Sequence, residues 1–70
     1  MAEQFHERLL RLRRRKGMSQ EVLAGLSGLS RSTVIKYECG DMEPKMASLI
    51  ALADVFDVTI DYLTGRSEKA

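Results

Sequence analysis

Residues 19–40 read SQEVLAGLSGLSRSTVIKYECG, and two serines eleven positions apart each stand ahead of a run that suits a helix. Ser19 and Ser30 are of the type that caps helix N-termini, and each follows an apolar residue that can pack on another apolar residue five positions later. Gly28 supplies a corner between the two runs, because glycine adopts a positive φ without steric cost. The pattern predicts two short helices that cross steeply, which is a helix-turn-helix. The two predicted helices are residues 20–27 and 31–39.

The rest of the chain repeats the helical pattern. The same cap and staple occur at Thr59, and apolar residues at helical spacing mark one helix before the motif and another after Pro44. We therefore predict an all-α fold, a compact five-helix bundle that contains the helix-turn-helix, in a single domain spanning residues 1–70. The polar tail, residues 66–70, is expected to be frayed. The five helices are predicted at about residues 3–16, 20–27, 31–39, 46–56 and 60–64.

Length and composition exclude several classes of protein. Seventy residues suffice for one domain, and no apolar stretch approaches the ~18 residues that a membrane span needs. The lone Cys39 excludes an intrachain disulfide and suits a reducing compartment. His6 and Cys39 alone cannot form a structural zinc site, and no catalytic motif accompanies them. We expect a cytoplasmic protein that is not an enzyme and has no metal, cofactor or membrane partner.

Charge is distributed unevenly along the chain. Residues 1–40 hold eight Arg or Lys against four Asp or Glu, whereas residues 41–70 hold three against six. A basic half indicates a polyanionic partner, although a solvated basic helix explains the same charges equally well.

Three segments, GMSQEVLA, GLSRSTVIKYE and LADVFDVTIDYLTG, resemble the Cro/C1-type, XRE-like helix-turn-helix domain of phage repressors and related bacterial regulators. The resemblance covers about residues 5–65 and implies the lambda-repressor-like fold of five helices, the number found from periodicity. It also implies a sequence-specific double-stranded DNA-binding transcriptional regulator, a repressor that binds a palindromic operator as a homodimer, with helix 31–39 in the major groove.

The resemblance assigns roles to polar residues of the motif. Arginine and lysine at the start of a reading helix can bond to guanine, and Ser and Thr can bond to several bases. Amides at a helix N-terminus favour phosphate. Lys45 stands where a capping serine is usual, which suggests a phosphate contact there. The expected base contacts are Arg31, Ser32, Thr33 and Lys36, and the expected phosphate contacts are Ser19, Gln20 and Lys45.

Two further pairs have expected roles. Arg13 lies at the edge of the apolar face of the first helix, where it needs an acidic partner if it is buried. Glu38 is the candidate because it falls on the core side of the predicted helix 31–39, and the resemblance implies the same structural pair. Val58 and Ile60 are candidates for the dimer interface, although simple core packing also explains them. The remaining arginines of the first helix are expected in solvent. These are Arg8, Arg11, Arg14 and Arg15.

A second interpretation stays open at this stage. Asp41 and Glu43 make the loop after the reading helix acidic, where relatives often have a basic residue that meets phosphate. Because these two carboxylates would repel the DNA backbone, the chain could instead be a protein-interaction module of antitoxin or coactivator type, in which DNA binding is secondary. The role of Arg31 and Lys36 distinguishes the two, because only a DNA reader needs both.

Overall fold

The computed structural model describes residues 3–70, which contain five helices and, within that range, no strand. The predicted all-α architecture with a helix-turn-helix is confirmed. None of these helices combines the length and the hydropathy that a membrane crossing requires. The helices are α1 (Phe5–Arg15), α2 (Gln20–Ser27), α3 (Arg31–Cys39), α4 (Met46–Phe56) and α5 (Ile60–Leu63).

Three helices begin with the same local device. The side-chain oxygens of Ser19, Ser30 and Thr59 each accept a hydrogen bond from the backbone N–H three residues later, at 3.0, 3.1 and 3.0 Å. These bonds satisfy amides that have no partner inside the helix. The apolar residue before each cap is half-buried and packs against the core, as a hydrophobic staple requires. These residues are Met18, Leu29 and Val58.

The turn between α2 and α3 is tight. Gly28 ends α2 with a φ of 73°, and the N–H of Leu29 donates to the carbonyl of Ala24 at 3.0 Å. Ser30 then begins α3 at once. Because so few residues separate the two helices, they pack on each other as a rigid pair.

All five helices contribute side chains to one core. Tyr37 of α3 is its largest aromatic residue, with its ring edge-on to Phe5 at a centroid distance of 5.9 Å. The Tyr37 hydroxyl forms a buried hydrogen bond with the hydroxyl of Ser48, at 3.0 Å, which ties α3 to α4. The other buried apolar side chains are Leu9, Leu12, Leu23, Ala24, Val34, Leu49, Leu52, Ala53, Phe56 and Leu63.

The first helix starts later than predicted. Gln4 occupies the capping position, and its backbone N–H donates to Oε1 of Glu7 at 3.0 Å. This bond closes the first turn at Phe5, so Glu3 lies outside the helix and is free to contact other elements.

The tail also differs from the frayed end that was predicted for residues 66–70. The N–H of Arg66 donates to the carbonyl of Asp61 at 2.8 Å, and the carboxylate of Glu68 accepts from Arg8 at 2.8 Å. The polar composition of the tail gave no sign of this contact, because its partner lies about 60 residues away in the sequence.

Candidate nucleic-acid interface

The outward face of α3 carries the predicted base-contacting residues. Arg31, Ser32 and Lys36 are exposed, whereas Val34, Tyr37 and Glu38 are buried on the opposite side. The buried side fixes α3 in the domain. Its polar side chains therefore project from a rigid support.

Thr33 is less free than its exposed neighbours. It is half-buried, its N–H donates to the hydroxyl of Ser30, and its own hydroxyl accepts from Ser30 at 2.8 Å. These two bonds orient Thr33 within the first turn of α3.

The start of α2 presents two expected phosphate ligands. Ser19 is exposed, and its hydroxyl oxygen accepts the N–H of Val22. Gln20 is half-buried, and its Nε2 donates to Oε1 of Glu38 at 3.1 Å. One hydrogen of that amide nitrogen is thereby used inside the protein, and the other remains for a ligand.

An ion pair fixes α3 to α1. Nε of Arg13 lies 2.6 Å from Oε2 of Glu38, and Nη2 lies 3.1 Å from Oε1. Nη1 of Arg13 also donates to the carbonyl of Met18, at 2.8 Å. Both charged side chains are largely shielded from water, with 12% and 4% of their surfaces exposed. Together with the bond from Gln20, this network holds α1, α2 and α3 at the base of the reading helix.

The loop that follows α3 combines opposite charges. Lys45 is exposed and occupies the cap position of α4, but its side chain makes no capping bond there. Asp41 and Glu43 are exposed in the same loop. A lysine next to the free amides of a helix N-terminus destabilises the helix by itself. An anion bound there would be stabilised by the lysine charge and by the amides together.

The predicted dimer residues lie at the corner between α4 and α5. Val58 and Ile60 are both half-buried and pack against the core with part of their surface exposed. Each contributes to the fold and leaves a partly apolar surface at that corner.

Arg8 contradicts the sequence-based expectation. It was predicted to be in solvent, but only 1% of its surface is exposed. Its guanidinium bonds to Glu3 at 2.7 Å and to Glu68 at 2.8 Å. Arg8 lies three residues after Phe5 and four before Leu12, near the rim of the apolar face, but the two carboxylates that make its burial tolerable lie before α1 and after α5. No local signal could have shown this.

The neighbouring Arg11 shares one of those carboxylates. Its Nε and Nη2 donate to Oε2 and Oε1 of Glu3 at 2.8 and 2.7 Å. The hydrogen bond from Arg11 is the main cause that lowers the pKa of Glu3 to about 2; burial opposes the shift, and Arg8 adds to it. The same contact raises the pKa of Arg11. Arg8 and Arg11 are therefore structural, while Arg14 and Arg15 are exposed as expected.

The described residues contain no cluster of His, Cys, Asp and Glu that could hold a metal ion, and Cys39 is exposed. Five helices, with a tight turn between α2 and α3 and an exposed polar face on α3, define a helix-turn-helix nucleic-acid-binding domain. A family profile described as helix-turn-helix matches residues 9–63. The chain belongs to the Cro/C1-type, XRE-like helix-turn-helix family, a family of DNA-binding transcriptional regulators and not of enzymes.

Individual relatives agree with this assignment. The chain is 41% identical over 63 residues to the HTH-type transcriptional regulator AnsR of Bacillus subtilis, an alignment that covers 90% of this chain and 54% of AnsR. Its structure is similar to that of the restriction-modification controller protein C.AhdI from Aeromonas hydrophila, with a TM-score of 0.80 and 42% identity over 84% of this chain and 89% of that one. It is also similar to the P22 c2 repressor in complex with a synthetic operator, with a TM-score of 0.87 and 25% identity over 93% and 98%. The chain spans about half the length of most of the curated relatives it matches.

Proposed function

We propose that this domain is a sequence-specific double-stranded DNA-binding transcriptional repressor. The observation that carries the proposal is the two-sided construction of α3, with Val34 and Glu38 held inside the domain and Arg31 and Lys36 outside it. A helix anchored in this way can enter the major groove without losing core contacts. The P22 c2 repressor, which shares the fold, was solved with a synthetic operator.

The base contacts are assigned to the first turns of α3. Arg31 has the fork geometry for guanine, and Lys36, one turn later, reaches a second base or a phosphate. Ser32 supplies an adaptable hydroxyl, and Thr33 presents a methyl group suited to thymine. Phosphate contacts are assigned to Ser19, Gln20 and Lys45, next to the N-termini of α2 and α4.

The repressor is proposed to act as a homodimer in the cytoplasm. One such domain reads only a few base pairs, and two related by a two-fold axis would read half-sites about 34 Å apart. Val58 and Ile60, partly exposed at the corner between α4 and α5, would form the contact between the two copies. The operator should then be a palindrome.

The test starts with selection of bound duplexes from a random pool, followed by affinity measurements on the enriched site. Arg31→Ala and Lys36→Ala should each weaken DNA binding by about 1–3 kcal/mol and relax the base preference at one position of the site.

Arg14→Ala is the matched control. It removes the same charge from an exposed arginine on α1 that has no ion-pair partner within residues 3–70, and its affinity for the enriched site should stay close to that of the parent. If both α3 variants bind like the parent, DNA reading by α3 is excluded and the interaction-module interpretation gains. An enriched site without a palindrome would remove the homodimer from the proposal and leave DNA binding in place.

A further inference from the structure

Both ends of the chain converge on one buried arginine. Arg8 of α1 donates to the carboxylate of Glu3, which precedes the first helix, and to that of Glu68, which follows the last. Its Nη1 also donates to the backbone carbonyls of Tyr62, at 3.0 Å, and Ser67, at 3.4 Å. We call this set of residues the terminal clamp. With a second bond from Nη2 to Oε1 of Glu68, at 3.4 Å, the buried guanidinium makes five hydrogen bonds and is a fixed point of the fold.

The N-terminal arm of the terminal clamp is held by close packing as well as by charge. Gly65 has a φ of 80°, and a Cβ at that position would overlap the backbone carbonyl of Glu3. Arg11 holds the same carboxylate through two hydrogen bonds and reaches the Tyr62 hydroxyl at 3.5 Å. The segment before α1 therefore lies directly on the segment after α5.

The terminal clamp acts on α5. This helix has only four residues, too few to be stable without tertiary contacts. The guanidinium of Arg8 pairs with a carbonyl of its final residues and lies 4.3 Å from the centre of the Tyr62 ring, where a cation is favourable. Leu63 provides the buried apolar anchor. Arg8 thus serves as a C-terminal cap for α5 that is supplied by another helix.

Val58 and Ile60 lie at the corner between α4 and α5. Any rotation or loosening of α5 would move Ile60, its first residue, and change the partly apolar surface exposed there. The family profile matches residues 9–63, so Glu3, Arg8, Gly65 and Glu68 all lie outside it.

We propose that Arg8 is a positioning residue for dimerisation: through α5 it sets the orientation of the Val58–Ile60 corner, so that the segments before α1 and after α5 control the dimer without touching DNA. This inference rests on the homodimer of the proposed function. It separates two properties of the protein, since α3 reads DNA on its own while the terminal clamp determines how two copies associate.

The test compares two variants of equal charge change. Glu68→Ala removes one arm of the terminal clamp, and it should fold because 76% of the Glu68 side chain is exposed. Asp54→Ala, the control, removes an exposed carboxylate from α4 that forms no ion pair within residues 3–70. Sedimentation equilibrium gives the dimer dissociation constant of each, and titration of a duplex with a single half-site of the enriched sequence gives the affinity of the monomer for DNA.

We expect Glu68→Ala to raise the dimer dissociation constant by about five- to tenfold, while Asp54→Ala leaves it within about twofold. Half-site affinity should stay unchanged in both, a separation that general loss of stability would not produce. Equal dimer constants for Glu68→Ala and the parent overturn the inference and leave the homodimer standing. A parent that stays monomeric at millimolar concentration overturns the homodimer and this inference together, while leaving DNA reading by α3 intact. A fall in half-site affinity that matches the change in dimerisation shows a purely structural role and also overturns the inference.

Discussion

At the scale of single residues, two glycines of the helix-turn-helix differ in backbone conformation. Gly28 has a φ of 73° and ends α2, whereas Gly25 lies inside α2 with an ordinary helical backbone. A Cβ added at either position would meet no atom within 4 Å. The two sites therefore differ in backbone conformation and not in available space.

Gly25→Ala should stabilise the protein by about 0.5–1 kcal/mol, because alanine restricts the unfolded chain and favours the helix. Gly28→Ala should destabilise it by about 1–2 kcal/mol, because a side chain is strained at a positive φ. Urea denaturation followed by circular dichroism measures both. A Gly25→Ala variant that is less stable than the parent would show that Gly25 has a packing role the structure does not reveal.

Two arginines show what sequence could predict at the residue scale. Arg13 lies at the edge of the apolar face of α1, and its partner Glu38 was found because it falls on the buried side of α3. Arg8 lies near the other edge and was missed, because Glu3 and Glu68 belong to no periodic element. Helical periodicity can indicate a buried charge when its partner lies on another helix. It gives no such indication for Arg8, because Glu3 and Glu68 lie outside the helices.

At the scale of helices, the starts of α2, α3 and α5 could be predicted because each depends on contacts within a few residues. A cap and a staple are local signals, and at each of the three sites the structure has the capping bond and an apolar residue before it that packs against the core. The helix α4 has neither, and its start at Met46 followed from apolar spacing after Pro44. At the cap position of α4, the backbone carbonyl of Lys45 accepts the N–H of Leu49, and the Lys45 side chain makes no capping bond.

Replacement of Lys45 by serine should therefore separate stability from DNA binding. Lys45→Ser should raise the free energy of unfolding by about 1 kcal/mol, since a hydroxyl would satisfy an amide that the lysine leaves unpaired. If Lys45 contacts phosphate, the same variant should bind the operator more weakly, and the slope of log affinity against log salt should fall by about 0.9. Thermal or urea unfolding gives the first quantity, and titrations between 50 and 200 mM salt give the second. Unchanged affinity and slope in a more stable variant would exclude the phosphate contact.

At the scale of the whole molecule, two buried ionic networks connect distant parts of the chain. Arg13 and Glu38 join the first helix to the reading helix, and Arg8 joins both chain ends to α5. Both networks link segments that are far apart in the sequence, so each restricts the relative positions of the elements that it joins. Loss of either member of the Arg13–Glu38 pair would leave a buried charge without its ionic partner, whereas Arg8 keeps one carboxylate if Glu3 or Glu68 is removed.

The terminal clamp also makes stability depend on pH in a defined window. The pKa of Glu3 is about 2 in the folded protein, lowered from 4.5 chiefly by the hydrogen bond from Arg11. Because the unfolded chain takes up this proton at a higher pH than the folded protein does, acid favours unfolding. The contribution of the Glu3 carboxylate should be complete above about pH 5 and should disappear as the pH falls from about 4.5 to 2.

Urea unfolding of the parent and of Glu3→Gln at a series of pH values measures this contribution as the difference in free energy of unfolding. The difference should be largest near neutral pH and should shrink through that window. In an Arg11→Gln background the same comparison should show a weaker pH dependence, because the main cause of the shift is gone. A difference between parent and Glu3→Gln that stays constant from pH 6 to pH 2 would mean that the carboxylate of Glu3 does not hold the N-terminal segment on α1 in solution.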